Sequence, residues 1–235
     1  MCIIVFKPAG IPIPDKNILY TCYEDNPDGI GCMYRADNGR IVISKGFMTI
    51  EEFIEDIQKV PNTLKKDIAI HFRLATHGNI SPGNCHPFPI TDKILHLRQT
   101  KHICRTAIMH NGIVPDLTHP DKTLSDTMCA VKIISECGEH SPPAQTILST
   151  GKFLVMDKIE TRLYGYFVED SGIYYSNTRY KPDVNYSSDP GYDDIEQELF
   201  ELFLEEHNIS FWEYDDDELY AMYKGKKAIM EDIYT

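Results

Sequence analysis

The sequence predicts an α+β protein, and three observations support this class. Short β-branched runs recur along much of the 235-residue chain and end at Gly, Pro or Asn, as strands commonly do. Segments with apolar side chains at helical spacing lie between them and carry capping residues. Tight turns join two pairs of neighbouring strands as hairpins. With 42% hydrophobic residues, the chain is long enough to bury one sizeable core.

The predicted strands start almost at the first residue. Residues 2–7 (CIIVFK) form a β-branched run that Pro8 and Gly10 end. Hairpin turns are predicted at Asp37-Asn38-Gly39 and at Asp170-Ser171-Gly172. The predicted strands span residues 2–7, 31–35, 40–45, 67–73, 104–109, 152–157, 163–169 and 173–177.

Three helices are predicted among these strands. A capping box at Thr49 and Glu52 starts the first helix, and Ser125 caps the second. The three helices span residues 50–60, 125–137 and 143–150. Residues 74–102 are rich in His, Pro, Gly and Asn, which predicts a loop.

The C-terminal part of the chain differs in charge from the remainder. Residues 193–235 carry 14 Asp or Glu against three Lys, a net charge of −11. We predict a domain at residues 1–180, followed by a linker and an acidic helical extension at 181–235. Its helices are expected at 193–207 and 216–224. The first fits either a helix packed on the core with a solvated acidic face or a docking module for a basic partner.

Composition excludes several classes of function. The net charge of −13 disfavours binding to nucleic-acid backbones. Seven cysteines without a CxxC pair argue against a disulfide framework or a zinc ribbon, and for a reducing compartment. The N-terminus lacks the features of a signal peptide, and no later stretch is apolar enough to span a membrane. We therefore predict a cytoplasmic protein that binds neither nucleic acid nor membranes.

The second residue is the first candidate for chemistry. Removal of Met1 would leave Cys2 with a free α-amino group beside its thiol. An α-amine titrates at about 7.7–8.0, so a useful fraction is neutral near neutral pH and can act as a base. Nucleophile and base would then belong to one residue. The alternative is that Cys2 packs as a small hydrophobic side chain.

Four downstream segments carry the residue types that an N-terminal thiol needs for amide hydrolysis. Residues 71–78 read His-Phe-Arg-Leu-Ala-Thr-His-Gly, and residues 84–88 read Asn-Cys-His-Pro-Phe. Residues 110–112 read His-Asn-Gly, and residues 125–127 read Ser-Asp-Thr. An Asn amide beside a Gly N–H can supply two donors to an oxyanion, although a plain hairpin turn also explains this pair.

In this order, the segments resemble the glutaminase domain of the class II glutamine amidotransferases, which are N-terminal nucleophile (Ntn) hydrolases. The resemblance covers residues 2–180 approximately. It implies a four-layer αββα sandwich of two mostly antiparallel sheets between helices. It also implies that glutamine is hydrolysed to glutamate and ammonia through a γ-glutamyl thioester.

The resemblance implies a role for each matched residue. Cys2 is the nucleophile, and Asn111 and Gly112 form the oxyanion hole. The remaining candidates bind the substrate: Arg73 takes the α-carboxylate, Asp126 the α-ammonium, Thr76 and His77 shape the glutamine pocket, and His86 supports the site.

The chain also departs from the family pattern. Leu74 stands where the sugar-phosphate amidotransferases commonly have Trp, and no synthase domain follows residue 180. We therefore expect a stand-alone subunit that supplies ammonia to a separate synthase. An Ntn amidase for another γ-glutamyl or small amide, and a non-catalytic binding protein on this fold, stay open. The histidine spacing matches no zinc signature, so no metal or other cofactor is expected.

Overall fold

The computed structural model describes residues 2–75, 79–115, 117 and 124–181. All of them lie in a unit that spans Met1–Pro182. The predicted linker and C-terminal helices fall outside the described residues, so the predicted boundary at residue 180 stays a prediction. Among the described residues, no helix has the length and apolar character needed to cross a membrane.

The described part of the chain is α+β, and its strands form two antiparallel sheets. The strands are β1 (Ile3–Lys7), β2 (Ile30–Arg35), β3 (Ile41–Phe47), β4 (Ile68–Phe72), β5 (Phe88–Pro89), β6 (Lys101–Cys104), β7 (Ala107–Asn111), β8 (Lys152–Met156), β9 (Thr161–Tyr164), β10 (Val168–Asp170) and β11 (Ile173–Tyr175). The helices are α1 (Lys16–Asp25), α2 (Ile50–Ile57), α3 (Ile94–Arg98), α4 (Asp126–Cys137) and α5 (Pro142–Leu148). The first sheet has the order β10-β11-β1-β4-β2-β3-β6, and the second has the order β5-β7-β8-β9.

Strand β1 lies inside the first sheet, between β4 and β11. Ile3 pairs with Phe72 of β4, and Val5 pairs with Tyr175 of β11, both antiparallel. The start of β1 therefore lies beside the ends of its two neighbours. Residues that directly precede β1 or directly follow β4 and β11 must meet at one edge of the sheet.

Alternating side chains along the strands build three apolar cores. Ile3 and Val5 of β1 pack with α1 and α2 on one face of the first sheet. Ile4 and Phe6 point to the opposite face and pack against β7 and β8 of the second sheet. The far face of the second sheet packs against α4 and α5, with Phe153 in that core. Full burial of each such side chain contributes about 1.5–3 kcal/mol.

The predicted caps of α2 and α4 are confirmed. Thr49 Oγ1 accepts a hydrogen bond from Glu52 N (3.3 Å), and the Glu52 carboxylate accepts one from Met48 N (3.0 Å). Ser125 Oγ accepts from Met128 N at 3.2 Å. Helix α2 ends at Ile57, which is three residues earlier than predicted.

Four parts of the chain differ from the predictions. Helix α1 was not predicted because its apolar spacing is irregular, although Asp15 caps it by accepting from Ile18 N at 3.0 Å. The predicted loop at 74–102 contains β5, α3 and the first residues of β6. The single strands predicted at 104–109 and 163–169 are wrong. Each is two strands that belong to different sheets, because the chain changes sheet at 105–106 and 165–167.

Candidate functional site

Cys2 lies directly before β1, and hydrogen bonds to Asn177 and Leu74 hold it in place. Asn177, just after β11, donates from Nδ2 to the Cys2 carbonyl at 2.9 Å. The Leu74 N–H donates to Cys2 Sγ at 3.3 Å, and the thiol donates to the Leu74 carbonyl at 3.4 Å. Burial raises the pKa of Cys2, and the Leu74 hydrogen bond and the Arg73 charge only partly oppose this. The resting thiol is therefore protonated at neutral pH and needs a base before it can attack.

Arg73 follows β4 and reaches the same edge of the sheet. Its backbone N–H donates to Gly29 O at 2.9 Å, and its carbonyl accepts from Asp28 N at 2.9 Å. Its buried guanidinium donates from Nη1 to Asn79 O at 3.4 Å, and that carbonyl also accepts from Asn84 Nδ2 at 2.9 Å. The turn before β2 and the loop after β4 therefore orient this cation together.

The loop that carries His86 packs directly on β2. A Cβ at Gly31 would lie 1.9 Å from His86 O, so only glycine allows this approach. Buried Lys45 of β3 donates to Gly83 O (3.2 Å) and Leu97 O (2.7 Å), which fixes both ends of the loop. Burial lowers the pKa of Lys45 to about 7.

Three buried histidines connect the two sheets beneath this edge. His71 Nε2 lies 3.1 Å from His110 O and 2.9 Å from His86 Nδ1, and His110 N donates to His86 Nδ1 at 3.4 Å. These contacts are consistent when His71 and His86 each carry their proton on Nε2. Protonation of His71 Nδ1 would create a donor at an atom that has no partner among the described residues.

The same burial keeps these imidazoles neutral. It lowers the pKa of His71 to about 3 and that of His110 to about 4, where the Asp126 charge partly opposes the effect. It holds the pKa of His86 well below its usual value, and the neighbouring imidazoles add to this shift. At neutral pH the cluster is therefore an uncharged support for the backbone above it.

Asn111 and Gly112 end β7 in the second sheet. Asn111 Nδ2 lies 3.0 Å from Ser176 Oγ and donates to it in this orientation of the amide. Asn111 Oδ1 then has no partner among the described residues. Ser176 Oγ also accepts from Ile4 N at 2.8 Å. Gly112 has a φ of +143°, and a Cβ there would lie 3.0 Å from His110 Nε2. The positive φ therefore favours glycine, and a Cβ would also force the His110 imidazole to shift by a few tenths of an ångström.

Asp126 begins α4 and is held by nearby donors. Its Oδ2 accepts from Val114 N at 2.8 Å, and its Oδ1 accepts from Thr127 N at 2.7 Å. The Thr127 hydroxyl lies 3.4 Å from Asp126 Oδ1 and 3.0 Å from His110 Nδ1. If His110 Nδ1 donates to Thr127, the hydroxyl can donate to Asp126, so the carboxylate is connected to the histidine cluster.

The structure brings several predicted residues together at one sheet edge and leaves two undescribed. Cys2 is hydrogen-bonded to Leu74, the residue after Arg73. Asn111 is hydrogen-bonded to Ser176, which follows a strand of the same sheet as Cys2 and Arg73. Asp126 joins the same network through Thr127 and His110, and His86 lies beneath it. Thr76 and His77 lie outside the described residues.

Sequence reasoning missed Ser176 and Asn177. Their only sequence signal is a polar pair at the end of a strand, which is common at turns. Their contacts with Ile4 and Cys2 identify them as part of the site. Among the described residues, no group of three or more His, Cys, Asp or Glu side chains could hold a metal ion.

The sequence was also compared with known proteins. No protein-family model matches it, and no curated protein matches it significantly.

Proposed function

We propose that this chain is a class II glutaminase that hydrolyses the glutamine side-chain amide through Cys2 after removal of Met1. One observation carries the proposal. Cys2 and the cation of Arg73 lie at one sheet edge, and the Asn111 amide is hydrogen-bonded to Ser176, which directly follows the strand that pairs with β1. A nucleophile, an anion-binding group and an oxyanion donor in one place are the requirements for acyl transfer from an amino-acid amide.

The proposed reaction starts with attack of Cys2 Sγ on the glutamine δ-carbon. The thiol proton moves to the α-amine of Cys2 and then to the leaving nitrogen, which departs as ammonia. Asn111 and Gly112 stabilise the oxyanion of the tetrahedral intermediate. Water then attacks the γ-glutamyl thioester, which releases glutamate and restores the thiol. Because burial raises the thiol pKa, this base is needed near neutral pH.

In the same proposal, charged groups select an α-amino acid. Arg73 binds the α-carboxylate, and Asp126 binds the α-ammonium with acceptor capacity that its backbone donors leave unused. Thr76 and His77 shape the pocket for the carboxamide, and His86 supports the loop around it.

The proposal extends to the fold and the partner. The three apolar cores, each between two layers, support a four-layer αββα Ntn sandwich. We propose that ammonia passes to a separate acceptor enzyme in the cytoplasm. The net charge of −11 on residues 193–235 would attract a basic partner.

Intact mass and ammonia release test the proposal together. We expect the purified chain to lack Met1, to gain one adduct from a glutamine-mimicking electrophile, and to release ammonia from glutamine. Cys2→Ala should abolish the adduct and the activity. Cys129→Ala, which removes another partly buried thiol, should keep both. A processed wild-type chain that gains no adduct and releases no ammonia would refute the proposal.

A substrate comparison separates the glutaminase from a broader Ntn amidase. Glutamine should be hydrolysed faster than γ-glutamyl anilides, whose bulky secondary amide does not fit a pocket for a primary carboxamide. It should also be hydrolysed faster than simple amides, which lack the α-groups that Arg73 and Asp126 bind. Faster turnover of another γ-glutamyl amide would indicate that Cys2 is the nucleophile of a broader Ntn amidase and that glutamine is not its preferred substrate.

A further inference from the structure

The hydrogen bonds at Ser176 are incomplete when Asn111 Nδ2 faces the serine. The Ser176 side chain is 1% exposed, and its Oγ accepts from Ile4 N at 2.8 Å. A second bond from Asn111 Nδ2 leaves the serine hydroxyl hydrogen without an acceptor among the described residues. It also leaves Asn111 Oδ1 buried without a donor. Buried polar groups are normally paired, so two unpaired groups on one contact require an explanation.

The opposite orientation of the amide pairs both the serine hydroxyl and Asn111 Oδ1, and it makes the NH₂ group the unpaired end of the amide. The two ends of a carboxamide have the same shape, so their hydrogen-bond partners decide which end faces the serine. With Asn111 Oδ1 toward Ser176, the hydroxyl donates to Oδ1 and still accepts from Ile4 N. The Asn111 NH₂ group then occupies the position that has no partner, and it offers two donors there.

We infer that Ser176 is a positioning residue that directs the Asn111 NH₂ group toward the oxyanion of the tetrahedral intermediate. The inference rests on the proposed function, because the occupant of the unpartnered position is the oxygen of the amide under attack. An oxyanion at that position supplies an acceptor for one N–H donor of this amide.

The backbone around Ser176 explains why this residue can fix a catalytic distance. Its N–H donates to Ile4 O at 2.9 Å while its Oγ accepts from Ile4 N. Ile4 lies in β1, two residues after Cys2, which directly precedes this strand. The orientation of the oxyanion donor is therefore set from the strand that carries the nucleophile, although Asn111 belongs to the other sheet.

Ser176→Ala tests the inference by a split between kcat and KM. Loss of one oxyanion-hole donor costs about 100- to 1,000-fold in kcat, and a donor that is only misoriented should cost about 10- to 100-fold. KM for glutamine should change less than about threefold, because ground-state binding does not use the oxyanion. Ser44→Ala is the matched control, since Ser44 is a buried serine of the same sheet that donates to Asp56 at 2.8 Å.

Binding of a transition-state mimic gives a second readout. Glutamate γ-semialdehyde should form a hemithioacetal, in which Cys2 Sγ bonds to the aldehyde carbon and the thiol proton passes to the oxygen. Ser176→Ala should weaken this adduct, because its oxygen lies at the oxyanion position, and should leave glutamate affinity unchanged. Equal loss of aldehyde and glutamate affinity would indicate a merely structural role and would overturn the inference.

Neutron diffraction of the deuterated wild-type protein judges the amide orientation without any activity. Deuterium on the Asn111 atom that faces Ser176 would overturn the inference, even if Ser176→Ala does not fold. Deuterium on the opposite atom, with the serine deuteron directed at Asn111, would support it. A wild-type chain that neither releases ammonia nor binds the aldehyde would refute the proposed function, and this map would still decide the orientation.

Discussion

Acidification should destabilise this protein steeply because three buried histidines must stay neutral. An unfolded histidine takes up a proton near pH 6.5, whereas His110 folded does so at about 4 and His71 at about 3. His86 also titrates well below its usual value. As the pH falls below 6.5, the unfolded chain binds more protons than the folded chain, so the free energy of unfolding decreases. The stabilisation is fully present above pH 6.5 and is lost toward the folded pKa values.

The expected loss is large compared with the stability of an ordinary domain. Each proton contributes about 1.4 kcal/mol per pH unit, so His71 and His110 each contribute about 2 kcal/mol between pH 6.5 and 5. Together they give about 4 kcal/mol, against a typical total of about 5–15 kcal/mol, and His86 adds to the loss. Glutamate and aspartate titrate mostly below this window, so the slope there reports the histidines.

Urea denaturation followed by circular dichroism at pH 7, 6 and 5 measures this slope. His86→Gln should make this slope shallower, because one buried titrating group is removed. His140→Gln is the control, since His140 is exposed and lies outside the histidine cluster. The reasoning is refuted if wild-type stability is equal at pH 7 and pH 5, or if His86→Gln leaves the slope unchanged.

Three further predictions concern the supports of the site. Gly112→Ala should lower the free energy of unfolding more than Gly138→Ala, and it should also lower kcat. Both residues have a positive φ, but only the Cβ at Gly112 would press on another residue, His110, since a Cβ at Gly138 meets nothing within 4 Å. Burial lowers the pKa of Lys45 to about 7, so above pH 7 the unfolded chain binds one more proton than the folded chain. The free energy of unfolding of the wild type should therefore rise by about 1.4 kcal/mol per pH unit relative to Lys45→Met. An equal pH dependence of the two proteins in urea denaturation at pH 7 and 9 would contradict this. Thr127→Val should raise KM for glutamine severalfold by freeing Asp126, and unchanged steady-state kinetics would exclude that role.

Local chemistry made much of this fold predictable. Strand β1 follows from its β-branched run, and α2 and α4 follow from Thr49 and Ser125 as caps. The sheet changes at 105–106 and 165–167 were not predictable, because an apolar strand looks the same in either sheet. Helix α1 was missed because tertiary contacts of Leu19 and Cys22, rather than a regular stripe, select it.

The candidate site divides in the same way. Cys2, Arg73 and Asn111 belong to recognisable segments, so sequence order alone nominated them. Ser176 and Asn177 make their contacts across more than 170 positions, and a Ser-Asn pair after a strand has no local signature of such a role. The catalytic assignments stay predictions that the proposed assays decide.

The pairing of β1 with β11 has a consequence for how the chain folds. Ile4 and Ser176 are 172 positions apart, so this contact closes a loop that includes nearly the whole domain. Contacts of such large sequence separation form slowly, because the entropy of loop closure is lost before they give any stabilisation. Until β11 arrives, β1 is an unprotected edge strand of apolar residues, and such edges promote aggregation. A chain interrupted before residue 173 should therefore associate with itself, and the assembly of the nucleophile's surroundings should be among the last steps of folding.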